Sequence, residues 1–191
     1  MTPYEVVAIG ASWGGLHAVG TVLTGLGPGF GAAVVVAQHR SPNDDAGLLP
    51  ELLERRSGLP VADGGDKDAL IPGRVIVAPS GYHLLVADGC VELSCDDIVQ
   101  FSRPSIDVLF ESVAQEYESR AIGVVLTGAN ADGANGLAAI ARRGGHTIVQ
   151  DPATSERPEM PRAALKALEP DAVLPLEDIA GHLHALCAEV V

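Results

Sequence analysis

The chain has 191 residues, of which 47% are hydrophobic, 4% aromatic and 19% charged. This composition is typical of one globular domain with a large aliphatic core, and it excludes a disordered chain. The 25 acidic residues against 12 basic ones give a net charge of −13. That charge argues against nucleic acid and anionic membrane surfaces as partners, and no apolar stretch approaches the roughly 20 residues that span a bilayer.

The cysteines and the N-terminal segment predict a cytoplasmic protein without a metal site. Cys90, Cys95 and Cys187 are an odd number in a chain that needs no disulfides, so we expect reduced, small apolar residues. Cys90 and Cys95 have no cluster of His or Cys nearby, which disfavours a zinc site. Residues 1–10 lack a basic segment and lead directly into a strand, so they show no signal peptide.

Short apolar runs alternate with helical patterns along the chain. The predicted elements are, in chain order, strand Val6–Ile9, helix Leu16–Leu26, strand Ala33–Gln38, helix Gly47–Arg56, strand Val75–Ala78, strands His83–Ala87 and Cys90–Ser94, helix Ser105–Arg120, strand Ile122–Thr127, helix Gly136–Arg143, strand His146–Gln150, helix Arg162–Leu168, strand Ala172–Leu174 and helix Leu176–Glu189. The alternation predicts an α/β fold with a doubly wound, mostly parallel sheet. Asp88-Gly89 predicts an antiparallel hairpin, either inserted or at one sheet edge. We expect residues 1–191 to form a single domain.

The turn after the first strand is the first candidate for chemistry, because ligands of open parallel sheets bind beyond the carboxyl ends of strands. Gly10, Ser12 and Gly14 form a Gly-x-Ser-x-Gly pattern, which holds a nucleophilic serine at a tight turn. N–H groups at the following helix start suit an oxyanion. Two alternatives stay open. One is a dinucleotide loop, although Ser12 replaces its middle glycine and Gln38 stands where an acidic residue is expected; the other is a plain structural turn.

Two further side chains follow strands at the same edge of the predicted sheet. His39 directly follows the second strand, and neighbouring strand ends are about 5 Å apart, so we expect it to act as base for Ser12. Asp132 lies in the loop after Ile122–Thr127 and is expected to orient the imidazole. Each also has a structural alternative: a solvated or capping histidine, and a helix N-cap aspartate.

A calcium loop fits poorly, because residue 128 is Gly rather than a carboxylate. Asp44 and Asp45 are expected to be capping charges in a loop.

These residues lie in segments through which the sequence resembles the catalytic domain of the chemotaxis protein-glutamate methylesterases, the CheB family. The segments follow the family order over the whole chain: residues 10–15, 38–39, 72–79 with 83–84, 103–110, 126–133 and 160–162. The resemblance implies a three-layer αβα sandwich with a catalytic triad of Ser12, His39 and Asp132. It also implies backbone oxyanion donors near Trp13 and Ala129, and no metal or cofactor.

The implied reaction is hydrolysis of glutamate γ-methyl esters on methyl-accepting chemotaxis receptors through an acyl-enzyme. Deamidation of receptor glutamines is the implied second activity. We expect no counterpart of the family's N-terminal receiver domain, because the first residues already predict a strand. We therefore expect a stand-alone catalytic domain without inhibition from an N-terminal domain, and a separate response-regulator protein stays open as a partner.

Several residues near the predicted site depart from the family pattern. Trp13 replaces the usual Thr, Ala129 and Asn130 replace Met and Gly, and Glu159 before Met160 replaces Gly. We expect Trp13, Ala129, Asn130 and Met160 to surround the oxyanion and the substrate, so these departures bear on substrate identity. Two alternatives to the methylesterase stay open: an esterase or amidase of the same fold with a different substrate, and a non-catalytic signalling or binding module.

The net charge also bears on docking. A glutamate-rich receptor helix and a chain of net charge −13 repel each other. We therefore expect docking to use local arginines, such as Arg40, Arg103 or Arg162, or apolar contacts.

Overall fold

Fifteen strands and helices follow one another in the part of the protein that a computed structural model describes, residues 4–41 and 47–187. They are β1 (Val6–Ala11), α1 (Gly15–Leu26), β2 (Ala33–Gln38), α2 (Leu48–Ser57), β3 (Val61–Asp63), β4 (Val75–Val77), β5 (His83–Ala87), β6 (Cys90–Ser94), α3 (Ile106–Tyr117), β7 (Ala121–Val125), α4 (Ala134–Arg142), β8 (His146–Gln150), α5 (Glu159–Ala167), β9 (Ala172–Leu174) and α6 (Ile179–Cys187). The predicted α/β alternation is therefore confirmed.

Seven strands form a parallel sheet in the order β3-β4-β2-β1-β7-β8-β9. The chain builds outwards from β1 through β2 on one side and later through β7 on the other, so β1 is central. Parallel strands end at the same edge, and ligands of such sheets bind where the strand order reverses. The loops after β1, β2 and β7 therefore meet at one place.

Helices cover both faces of the sheet. In β1, Val7 and Ile9 pack with the apolar side chains of α1, α2 and α6, whereas Val6 and Ala8 pack with those of α3, α4 and α5. Both sets are fully buried, which explains why the strand is a continuous apolar run rather than an alternating one. Among the described residues, no helix combines the length and apolar character of a membrane-spanning segment.

Strands β5 and β6 form the predicted antiparallel hairpin. Asp88 and Gly89 at its turn both have positive φ, 51° and 70°, as a two-residue hairpin turn requires. The hairpin is a separate two-stranded sheet, which corresponds to an insertion, and it lies against α3, where Ser112 Oγ accepts the N–H of Val86 at 3.0 Å.

The observed element boundaries lie up to three residues from the predicted ones. Strand β3, only three residues long, was not predicted. Helix α5 begins at Glu159 rather than Arg162, because Pro161 stands in its first turn, where no N–H is needed for the helix. Asp44, Asp45 and the last two residues of the predicted final helix, 188 and 189, lie outside the described residues.

Candidate active site

Ser12, His39 and Asp132 follow three neighbouring strands of the sheet. Ser12 comes directly after β1, and its N–H donates to the carbonyl of Thr127 at 3.0 Å, beyond the end of β7. His39 comes directly after β2, and its N–H donates to the carbonyl of Ala11 at 3.1 Å. Backbone hydrogen bonds thus continue past the strand ends and bring the three segments together.

The three side chains form one hydrogen-bonded series. His39 Nδ1 lies 3.1 Å from Ser12 Oγ, and His39 Nε2 lies 2.7 Å from Asp132 Oδ2. With the ring proton on Nε2, the imidazole donates to the carboxylate and Nδ1 accepts from the serine hydroxyl. The His39 side chain is 11% exposed and that of Asp132 is fully buried. This arrangement can move a proton from the serine to the imidazole.

The Asp132 carboxylate lies at the N-terminus of α3. Besides the bond from His39, it accepts hydrogen bonds from Ser105 Oγ at 2.9 Å and from the N–H groups of Ile106 and Asp107 at 2.8 and 3.0 Å. Burial acts to raise the pKa of Asp132, but the hydrogen bonds from His39, Asp107 and Ile106 outweigh it and lower that pKa below its usual value. Asp132 is therefore a stable anion facing the imidazole.

Asp107 is a second buried carboxylate beside this series, and the sequence analysis gave it no role. Its Oδ1 accepts the N–H groups of Gly133 and Gly136 at 2.9 and 2.7 Å, and its Oδ2 accepts the Gln100 amide at 2.8 Å. Burial is the main reason why the pKa of Asp107 is raised. Helical spacing to the buried Phe110, three residues later, was the sequence signal that this side chain faces inward.

The predicted oxyanion donors have N–H groups available for a ligand. In residues 4–41 and 47–187, the main-chain N–H groups of Trp13 and Ala129 make no hydrogen bond, whereas that of Gly128 donates to the carbonyl of Arg157 at 3.0 Å. Asn130 is close to the imidazole: its Nδ2 lies 3.3 Å from His39 Nδ1.

Met160 lies behind the nucleophile, not in the open mouth of the site. It is 1% exposed, and its N–H donates to the carbonyl of Gly128 at 2.9 Å. A Cβ atom on Gly128 would lie 1.8 Å from Met160 Sδ and 2.9 Å from Ser12 Cβ, so residue 128 must be glycine. Met160 thus backs Gly128 and Ser12 from the interior.

Trp13 stands at the open side of the site. Its side chain is a large exposed hydrophobic, with 58% of the residue accessible. Indole Nε1 donates to Glu156 Oε1 at 2.8 Å, and the Arg157 guanidinium carbon lies 5.4 Å from the ring centroid. The sequence analysis did not identify Glu156 or Arg157, because they are distant from Trp13 in the chain.

The three arginines expected to dock a substrate have different surroundings. Arg40 pairs with Asp63 at 2.9 Å, and the Arg40 side chain is only 3% exposed, so this guanidinium is hidden from solvent. Arg103 donates to the main-chain carbonyls of Cys95 and Asp96 at 2.8 and 2.9 Å, which ties it to its own loop.

Arg162 lines an open cavity of about 650 Å³ between α4 and α5. Gln100, Asn135, Glu159 and Lys166 also line this cavity, which is next to the Asp132 loop through Ala131. No cluster of three or more metal-ligating side chains occurs in the described part of the chain.

Comparisons with known proteins identify the family of this chain. The family model described as CheB methylesterase matches residues 7–183. A putative protein-glutamate methylesterase/protein-glutamine glutaminase of Leptospira interrogans serovar copenhageni is 45% identical over 178 residues, covering 93% of this chain and 92% of that protein. Protein-glutamate methylesterase/protein-glutamine glutaminase 2 of Anaeromyxobacter dehalogenans is 44% identical over 95% of this chain and 53% of its own length.

A solved structure shares the fold. The crystal structure of the Thermotoga maritima CheB methylesterase catalytic domain superposes with a TM-score of 0.90 at 31% identity, covering 97% of this chain and all of that chain. The predicted fold class is thereby confirmed.

Proposed function

This chain belongs to the CheB methylesterase family, and from that premise we propose that it hydrolyses glutamate γ-methyl esters on a chemotaxis receptor or a related methylated signalling protein. The observation that carries the proposal is the series from Ser12 through His39 to Asp132, with contacts of 3.1 and 2.7 Å. Relatives named protein-glutamate methylesterase/protein-glutamine glutaminase support a hydrolase of this type.

In the proposed acylation, Ser12 is the nucleophile and His39 its base. His39 Nδ1 takes the hydroxyl proton as Ser12 Oγ attacks the ester carbonyl, and the ionised Asp132 stabilises the imidazolium that forms. The N–H groups of Trp13 and Ala129 hold the tetrahedral oxyanion. The intermediate collapses when methoxide leaves with the proton from His39, which releases methanol and leaves a glutamyl ester on Ser12.

In the proposed deacylation, water takes the position of methanol. His39 accepts a proton from the water as its oxygen attacks the acyl carbonyl, and the same proton returns to Ser12 Oγ. The products are the free enzyme and a glutamate carboxylate. A glutamine side chain follows the same route with ammonia as the leaving group, which is the proposed second activity.

A second candidate is an esterase or amidase of the same fold that acts on a different substrate. The observation in its favour is Trp13, whose ring stands 58% exposed next to the nucleophile and is fixed by Glu156. A side chain of this size changes the shape of the mouth, while the hydrogen bond between His39 and Asp132 is the same in both candidates. The chemistry of Ser12 is the same in both candidates, so substrate choice distinguishes them.

The test is methanol release from methylated receptor by the wild type and by Ser12→Ala. We expect turnover to disappear in Ser12→Ala with an unchanged unfolding midpoint, and to persist in Ser119→Ala, an exposed serine just before β7 at the opposite sheet edge. Unchanged turnover in Ser12→Ala would contradict the nucleophile.

A serine-reactive phosphonate separates the remaining alternatives. We expect it to label Ser12 in the wild type. Labelling without demethylation of any receptor would favour the different substrate, and the absence of both would favour a non-catalytic module.

A further inference from the structure

Arg157 is held next to the nucleophile by its backbone, which leaves its side chain free to bind. Its main-chain N–H donates to Thr127 Oγ1 at 2.8 Å, and its carbonyl accepts from Gly128 N–H at 3.0 Å. Thr127 in turn accepts the N–H of Ser12 through its carbonyl. Thr127 and Gly128, in the loop after β7, therefore hold the backbone of both Ser12 and Arg157.

The Arg157 guanidinium lies over the ring of Trp13. Its central carbon is 5.4 Å from the ring centroid. Within residues 4–41 and 47–187, no carboxylate forms a salt bridge with it, although the exposed arginines Arg55 and Arg143 pair with Glu51 and Glu118. A stacked guanidinium keeps its N–H edges directed sideways, where they can form a two-pronged contact with a carboxylate.

Glu156 precedes Arg157 in the chain, but its carboxylate is used by Trp13. Its Oε1 accepts from Trp13 Nε1 at the edge of the indole, whereas Arg157 lies over the face of the ring. Glu156 thereby fixes the ring plane on which Arg157 stacks. Trp13 is held a second time, because Thr127 Oγ1 donates to its carbonyl at 3.0 Å.

We propose that Trp13 and Arg157 form a subsite for a carboxylate side chain that flanks the methyl ester on the substrate protein. The inference rests on the proposed function, since it places an ester on Ser12, the residue before Trp13. With a net charge of −13, the protein repels acidic partners at long range, and a local guanidinium offsets that repulsion at the site. The preferred substrate is therefore a glutamyl ester within an acidic segment.

The subsite should act on binding rather than on the chemical step. The flanking carboxylate contacts Arg157 equally in the ground state and the transition state. Loss of this contact therefore raises KM and leaves kcat largely unchanged. A direct charge-assisted contact at a half-open site predicts about a fivefold preference in kcat/KM for an acidic flank.

The experiment uses two synthetic helical peptides that contain one glutamate γ-methyl ester. One peptide carries glutamates at the neighbouring positions, and the other carries glutamines there. Methanol release gives kcat and KM for the wild type, Arg157→Gln, Arg157→Lys and the control Arg143→Gln. Arg143 follows α4 just before β8, at the opposite sheet edge, and its replacement makes the same change in net charge.

We expect the wild type and Arg143→Gln to share the preference for the acidic peptide. Arg157→Gln should reduce the ratio of the two kcat/KM values to about one, through KM, and Arg157→Lys should keep part of it. Equal hydrolysis of both peptides by the wild type, or an unchanged ratio in Arg157→Gln, overturns the subsite and leaves the proposed function intact. Failure of the wild type to hydrolyse either peptide overturns the proposed function and the subsite with it.

Discussion

Asp132 and Asp107 are buried aspartates that cap each other's helices, yet their pKa values are shifted in opposite directions. Asp132 lies in the loop before α4 but accepts the N–H groups of Ile106 and Asp107 at the start of α3. Asp107 belongs to the first turn of α3 but accepts the N–H groups of Gly133 and Gly136 at the start of α4. Both carboxylates therefore face a helix N-terminus, which favours a negative charge.

The difference between them is the histidine. Burial raises the pKa of both groups, but Asp132 also accepts from His39, and this bond with those from backbone N–H groups brings its pKa below the usual value. Asp107 accepts only from neutral N–H groups, and the charge of Asp132 raises its pKa further. Hydrogen bonds from a helix N-terminus alone thus do not prevent the rise in the pKa of the buried Asp107. The contact between His39 and Asp132 lowers the pKa of Asp132, whereas Asp107 connects α3 to the start of α4.

Replacing Asp132 by Asn should have the largest effect on activity of any substitution at the two aspartates. Without the negative charge, the imidazolium that forms during the attack of Ser12 loses its partner, and the ring loses its orientation. We expect kcat for methanol release to fall about 10⁴-fold. Asp107→Asn, which keeps the helix contacts in part and leaves His39 bonded to Asp132, should lose far less. Equal losses in the two variants, with both proteins folded by circular dichroism, would contradict the separate roles.

The convergence of Ser12, His39 and Asp132 was predictable from the sequence, because it needs only the strand order. The carboxyl ends of parallel strands share an edge, and Val-rich runs mark β1, β2 and β7 clearly. Their geometry agrees with the prediction, and their catalytic roles stay predictions. That residues 1–191 form a single domain also remains a prediction.

Asp107 and Arg157 were not given roles from the sequence, because their partners lie in distant loops. Asp107 contacts Gly133 across 26 residues, and the segment with Arg157 reaches Trp13 across more than a hundred. No periodicity encodes such contacts. Strand β3 escaped prediction for a different reason: it is as short as β4 and β9 but ends in the charged Asp63, so it shows no continuous apolar run.

The two aspartates should contribute to the pH dependence of stability with opposite sign. The pKa of Asp107 is raised above the ordinary value of about 3.9, so the folded state binds more protons than the unfolded state between those two pKa values. Asp107 therefore costs stability as the pH rises through that window. For Asp132, whose pKa is lowered, the contribution is present above the ordinary value and is lost as the pH falls through the folded pKa.

Urea unfolding of Asp107→Asn and Asp132→Asn from pH 3 to 7 measures these contributions against the wild type. As the pH rises, the free energy of unfolding of Asp107→Asn should increase relative to that of the wild type. The free energy of unfolding of Asp132→Asn should decrease relative to that of the wild type. The slope with pH is the test, because either amide also changes the hydrogen bonds at all pH values. Slopes of the same sign would contradict the opposite shifts.

Ser105→Ala should have the smallest effect, and it tests whether His39 rather than the hydroxyl keeps Asp132 charged. Ser105 Oγ donates to Asp132 Oδ1 at 2.9 Å and accepts from Val108 N–H at 3.4 Å as the N-cap of α3. Its loss should cost about 1 kcal/mol in the free energy of unfolding by urea. Asp132 keeps the bonds from His39 and Ile106, so kcat should stay within about tenfold of the wild type, since a lost neutral hydrogen bond costs about 1 kcal/mol. Ser105→Thr, which retains a hydroxyl, is the control, and a loss in Ser105→Ala as large as that in Asp132→Asn would mean that the cap, not the histidine, sustains the charge.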